Sequence, residues 1–125
     1  MDFDQCPCTG KTLGRPLQAA VLLTLASDSL HGYAIVQRLT QLAMYRDQPP
    51  DSTGVYRVLR QMAKDGLVES EWDLSESGPA KRVFRLTPRG RACLDQWIET
   101  LRDYRTAVAD LLQVAERTVR SGSAQ

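Results

Sequence analysis

Leu94, Trp97, Leu101, Tyr104, Val108, Leu111 and Ala115 follow one another at intervals of 3, 4, 3, 4, 3 and 4 residues. Apolar residues at that spacing draw one stripe along an α-helix, and a stripe held over three heptads is the seam of a coiled coil. Thr87 can cap the start of this helix, and Pro88 suits its first position, where a missing N–H costs nothing. The spacing predicts a helix from Pro88 to about Val119, followed by a loose tail, SGSAQ. Such a seam needs an apolar partner. No other stretch of the chain is long enough to supply one, so the pattern points to a second copy of the same protein.

The remainder has to build one modest core, since 125 residues leave room for little more. Leu13 to Ser27 (LGRPLQAAVLLTLAS) is apolar on almost every side, which suits a helix buried on more than one face. After Asp28-Ser29-Leu30, the segment HGYAIVQRLTQLA places Tyr33, Ile35, Val36, Leu39, Leu42 and Ala43 at helical spacing, and Pro49-Pro50 forbids its continuation. Asp51 or Ser52 can cap a third helix that runs to about Asp65 and stops at Gly66. Its faces differ sharply. Val55, Val58, Leu59 and Met62 fall on one side, and Thr53, Arg57, Arg60, Gln61 and Lys64 on the other.

Leu67 to Leu74 and Arg82 to Thr87 read as two strands joined by a turn-rich loop with Gly78-Pro79 at its tip. Alternation sends Val68, Trp72, Phe84 and Leu86 inward, with Trp72 read as part of the hairpin core. The charge is unevenly spread although the net value is only +1. Lys81, Arg82, Arg85, Arg89 and Arg91 form a basic run free of acids, while Glu69, Glu71, Asp73 and Glu76 crowd just upstream. A local positive patch of this kind can bind phosphate on a nearly neutral molecule.

Three helices, a β-hairpin and a long last helix make a mainly α fold with a small β-hairpin, the order of a winged helix-turn-helix with a C-terminal dimerisation helix. At this point the residues resemble the PadR-like transcriptional regulators, over roughly Leu17 to Leu112. His31-Gly32-Tyr33 resembles that family's start of the second helix. TGVYRVLRQMAKDGLVESEW, Thr53 to Trp72, resembles its recognition helix and first wing strand. GPAKRVFRLTPRG, Gly78 to Gly90, is similar to its wing, although Val83 and Phe84 stand where a tyrosine pair is frequent. The resemblance implies a dimeric, repressor-type DNA-binding regulator of the branch with a short C-terminal module. The domains expected are an N-terminal arm over 1–15, a DNA-binding domain over 16–90, a dimerisation helix over 91–119 and a flexible tail over 120–125.

With the third helix in a major groove, Thr53, Arg57, Arg60 and Gln61 can reach base edges, and Lys64 lies nearer phosphate. Tyr56, on the boundary between the faces, can donate its hydroxyl to a phosphate. Lys81 and Arg82 on the wing would lie along or in the minor groove and add affinity more than sequence choice. Arg85 is equally well placed to pair with Glu69, Glu71 or Asp73 across the hairpin. Arg89 and Arg91 oppose the dipole of the last helix unless an anion such as phosphate is present. A twofold dimer should read a palindromic operator with half-sites about 34 Å apart.

Leu94, Trp97, Leu101, Tyr104, Val108 and Leu111 are the candidate dimerisation residues. Trp97 and Tyr104 lie about two turns apart on the seam, and in drug-sensing relatives, the resemblance implies, a flat aromatic effector can lodge against such residues. Ordinary interface packing is the competing account of the pair. His31, the single histidine, reads as a structural group at a helix start.

The N-terminal stretch CPCTGKT is not a phosphate-binding loop, because Gln5 stands where that motif demands glycine and no strand precedes it. Cys6 and Cys8 are too close for a relaxed disulfide and lack the two-residue gap usual for zinc. With Cys93 they could form a thiolate site for a metal ion or haem, or an oxidant sensor. A reduced arm without such a role is the alternative.

No stretch has the roughly 18 apolar residues that cross a bilayer, and the acidic N-terminus, with its first apolar run at 19–26, does not resemble a signal peptide. An odd number of cysteines, 3, favours reduced thiols in the cytoplasm. A thiol enzyme is disfavoured, since no base neighbours Cys6 or Cys8 and no βαβ pattern exists. A winged-helix module that binds protein and not DNA is the remaining alternative, and it has no need of Arg57, Arg60, Lys64 and Lys81.

Overall fold

The structure, a computed structural model, describes residues 16–74 and 80–123. By its contacts the chain divides into a first unit, Met1–Arg91, and a second, Ala92–Gln125. The Cys-Pro-Cys arm and the tip of the wing loop lie outside the described residues.

Helix α1 spans Leu17–Thr24 and buries Ala19, Ala20, Val21, Leu22 and Thr24. It is shorter than the apolar run suggests. The N–H groups of Leu25 and Ala26 donate to the carbonyls of Leu22 and Leu23 at 3.2 and 3.1 Å, which tightens the last turn and ends the helix. Thr24 belongs in this core because its hydroxyl donates to the Val21 carbonyl at 2.7 Å.

A two-residue strand, β1 (Leu30–His31), leads directly into α2 (Gly32–Leu39). The helical spacing seen through Ala43 is interrupted. Thr40, Gln41 and Leu42 donate to the carbonyls three residues back, and a separate short helix, α3 (Ala43–Arg46), begins after them. That break turns Tyr45 into the core, where it is 1% exposed. Tyr33 and Val36 do not share its fate: Tyr33 is exposed and Val36 half-buried.

Helix α4 (Ser52–Lys64) conforms closely to its sequence signals. Asp51 caps it, its carboxylate accepting from the Thr53 N–H at 3.3 Å. At the other end Gly66 adopts φ 77°, a left-handed conformation that glycine reaches without steric penalty. There the Leu67 N–H donates to Met62 at 2.9 Å and the Gly66 N–H to Ala63 at 3.2 Å, the paired bonds of a Schellman cap. Val55, Leu59 and Met62 are buried against α1 and α2, whereas Val58 is only half-buried. With Val21, Leu22, Ile35 and Leu39 they form the centre of the unit, each fully buried side chain contributing roughly 1.5–3 kcal/mol.

Strands β2 (Val68–Asp73) and β3 (Lys81–Leu86) form the hairpin, and β1 adds a third strand in the order β1-β3-β2. All pairing is antiparallel, with Leu30 opposite Phe84 and Val68 opposite Leu86. Val68 and Phe84 are buried and Leu86 half-buried. Trp72 departs from the expectation, being 58% exposed. It shares a face with Val68 but lies near the loop end of the hairpin, where alternation decides the side but does not by itself bring burial.

Thr87 closes the unit. Its hydroxyl donates to the Gly66 carbonyl at 2.7 Å and accepts from the Gly90 N–H at 3.0 Å, so one residue joins the exit of α4 to the start of α5 (Pro88–Ser123). Helix α5 continues past Val119 to Ser123, so the residues from Arg120 to Ser123 are helical where the sequence suggested a tail. Along the second unit this helix carries a long row of exposed apolar side chains, including Leu101, Tyr104, Val108 and Leu111. Among the described residues no helix is long and apolar enough to cross a membrane.

Candidate nucleic-acid interface

With Val55, Leu59 and Met62 turned inward, the period of α4 leaves Thr53, Arg57, Arg60, Gln61 and Lys64 exposed on the opposite side and Tyr56 exposed at the boundary between the faces. None of the three cations of this face is held in an ion pair among the described residues. Gln61 donates to Asp65 at 3.2 Å, one turn further along the same helix. This is a surface contact that solvent or a ligand can displace.

The wing brings its own cations to the same side of the unit. Lys81 and Arg82 are exposed at the start of β3. The Arg82 guanidinium lies over the Trp72 ring, 5.3 Å from its centroid, a cation–π contact that gives the exposed indole a partner. A half-open groove of about 640 Å³ runs between the start of α2, the second half of α4 and the wing. Tyr33, Tyr56, Arg60, Lys64, Trp72 and Lys81 are among its walls, and among the described residues no carboxylate lines it. The groove thus joins Tyr56, Arg60, Lys64, Lys81 and Arg82, while Thr53, Arg57 and Gln61 stand outside it on the exposed helix face.

Other expected charges are already engaged. Arg85 pairs with Glu69 at 2.9 Å and approaches Glu71 at 3.8 Å, so it serves the hairpin as a cross-strand partner. Arg91 donates to the Ala26 carbonyl at 2.6 Å, which gives it a protein acceptor where a phosphate had seemed required. His31 does stand at a helix start, but it makes no side-chain cap. Its Nε2 lies 3.2 Å from the Asp73 carboxylate at the end of β2.

In the second unit Leu94 and Trp97 are half-buried, and Leu101, Tyr104, Val108 and Leu111 are exposed. The seam is wider than its strict heptad positions. Ile98, Leu112 and Val119, exposed as well, recur at one shared heptad position beside it. They were readable from the same sequence period and were missed because only the 3,4 spacing was followed. Cys93 is a free, half-buried thiol; Cys6 and Cys8 lie outside the described residues. Among the described residues no three histidine, cysteine or acidic side chains gather in a way that could hold a metal ion.

Residues 21–96, more than half of the sequence and reaching from α1 through the wing into α5, match the family described as transcriptional regulator PadR-like. The chain belongs to the PadR-like family of transcriptional regulators. A transcriptional regulator of Mycobacterium tuberculosis is 36% identical over 76 residues, which cover 61% of this chain and 66% of that protein. Among solved structures, a PadR family regulator from Eggerthella lenta superposes with a TM-score of 0.66 at 26% identity, covering 77% of this chain and 80% of its own. Bacillus subtilis PadR, solved in complex with operator DNA, gives a TM-score of 0.59 at 21% identity and covers 67% of this chain and 47% of its own. The PadR-like chain therefore spans just under two thirds of the Mycobacterium protein and about half of the Bacillus one. The latter likeness is one of fold.

Proposed function

We propose that this PadR-like regulator binds operator DNA as a homodimer, with α4 in the major groove and the wing over the adjacent minor groove. One observation carries the reading: α4 buries Val55, Leu59 and Met62 while Thr53, Arg57, Arg60, Gln61 and Lys64 are all exposed. A helix so divided offers donors that can bond bidentately to guanine and adenine edges. The groove behind it, cationic and with no carboxylate among the described residues that line it, suits the sugar–phosphate strand that separates a major from a minor groove. Lys64, Lys81 and Tyr56 would hold that strand, and Arg82 would follow the wing. That Bacillus subtilis PadR was solved on operator DNA supports the same use of this fold.

The exposed stripe of α5, from Leu101 through Leu111, supports pairing with a second copy through that helix. The working division is an arm over 1–15, a DNA-binding domain over 16–90, a dimerisation helix over 91–119 and a terminal segment over 120–125. Two copies of α4 related by a twofold would read an inverted repeat with half-sites about 34 Å apart, and occupancy of a promoter would repress by obstruction. Release would come from a flat aromatic effector between Trp97 and Tyr104 or from chemistry at Cys6, Cys8 and Cys93. A winged helix that binds only protein has no use for three exposed cations on α4.

Selection of bound duplexes from a random pool tests this reading. The expected result is enrichment of an inverted repeat, with affinity falling steeply as salt rises. Recovery of no common sequence, with a monomer in sedimentation, would overturn it.

A further inference from the structure

The second residue of the His31-Gly32-Tyr33 triplet is the first residue of α2, and it is buried. What buries it is the end of the Tyr56 side chain from α4. A Cβ placed on Gly32 would fall inside that phenol, 2.6 Å from Cζ and nearer still to Cε1 and the hydroxyl oxygen. No side chain can occupy this position while Tyr56 keeps its place. The atoms that would have to yield are the far end of a side chain and not backbone, so a methyl group there moves the phenol and leaves the helix where it is.

Tyr56 is 40% exposed and lines the groove between α4 and the wing. Among the described residues its hydroxyl has no hydrogen-bond partner, whereas the neighbouring Tyr33 hydroxyl accepts from Gln37 at 3.1 Å. Of the two phenols at this wall, Tyr56 is the one whose hydroxyl engages no protein group among the described residues. Its ring is held against the bare backbone of Gly32, which places the phenol in the groove that Arg60 and Lys64 of its own helix and Lys81 of the wing also line.

We infer that Gly32 is a positioning residue for DNA binding: its lack of a side chain seats Tyr56 so that the phenol hydroxyl donates to a backbone phosphate in the groove. The inference rests on the proposed DNA-binding reading and adds to it a residue that does not itself touch DNA. A hydrogen bond to a charged phosphate is worth about tenfold in affinity, and a displaced phenol forfeits it as surely as an absent one.

The test is a double-mutant cycle on the full chain with Gly32→Ala, Tyr56→Ala and both changes together, read by duplex binding and by thermal unfolding; Tyr56→Phe isolates the hydroxyl. The duplex is the one recovered by selection. Gly32→Ala and Tyr56→Phe are each expected to weaken binding about tenfold with little loss of thermal stability. In the Tyr56→Ala background, Gly32→Ala should cost less than about twofold, because no phenol remains to be displaced. Gly32→Ala with wild-type affinity, or with the same cost in both backgrounds, overturns the inference while the wild-type protein still binds its inverted repeat. A wild-type protein that prefers no duplex overturns the DNA-binding reading itself, and the role of Gly32 falls with it.

Discussion

His31 Nε2 and Asp73 Oδ2 lie 3.2 Å apart and tie the start of α2 to the last residue of β2. Both side chains are partly shielded, at 34% and 24% exposure. The contact crosses the three-stranded sheet, since His31 pairs through β1 with β3 and Asp73 lies on the far strand. It braces the wing against the helix that carries Gly32.

A cycle of His31→Ala and Asp73→Ala should show a coupling of about 1 kcal/mol or less in urea unfolding, the scale of a partly exposed pair. Duplex affinity should fall in both single variants through a looser wing. Additive losses, with no coupling in stability, would mean that the bridge does not brace the sheet.

Arg57 and Lys64 should separate in their effects although they share one helix face. Arg57→Ala is expected to cost roughly 1–3 kcal/mol and to relax preference at one base position, as a base contact does. Lys64→Ala should weaken every duplex alike and reduce the slope of log affinity against log salt by about 1. Binding measured on matched and scrambled duplexes across a salt series distinguishes the two. Identical behaviour of the variants would place both residues on phosphate.

The contrast between α4 and Trp72 shows how far such a sequence can be read. For α4 the cap at Asp51, the stop at Gly66 and a 3.6-residue period agree, and each acts locally, so the helix and its polar face are legible from residues alone. Trp72 obeys its alternation, sharing a side with Val68, yet burial depends on whether another element reaches that end of the sheet. Among the described residues no further element does, and the Arg82 guanidinium lies over the ring instead. Strand β1 is too short to show any period. The break after Leu39 was hidden because Leu42 and Ala43 continue the helical spacing; it arises from burial of Tyr45, a tertiary demand with no local signal. Gly32 was visible as part of a motif, but its contact with Tyr56, distant in sequence, was not.

The stripe on α5 predicts the oligomeric state. Replacing Leu101 and Val108 together by glutamate puts charges into any interface built on that seam, where burial without a partner is costly. Sedimentation should find a dimer for the wild type and a monomer for the double variant, with the helix retained by circular dichroism. Affinity for an inverted repeat should fall by about 10²-fold or more as the second half-site contact is lost. A variant that remains dimeric would place the interface elsewhere.

Trp72 can report on wing engagement, because the chain has 2 tryptophans and only this one lies on the wing. In a Trp97→Phe protein the emission comes from Trp72 alone, an indole 58% exposed with the Arg82 guanidinium over its ring. If the wing lies along a minor groove, adding duplex draws Arg82 toward phosphate and sets the indole in a less polar place, so emission should change saturably at the same concentrations that saturate binding. Trp72→Ala should leave unfolding within about 1 kcal/mol of wild type, since an exposed cation–π pair contributes roughly 0.5–1 kcal/mol, while duplex affinity falls. Emission that stays constant through full occupancy would mean that the wing stands clear of the DNA and that binding rests on α4 alone.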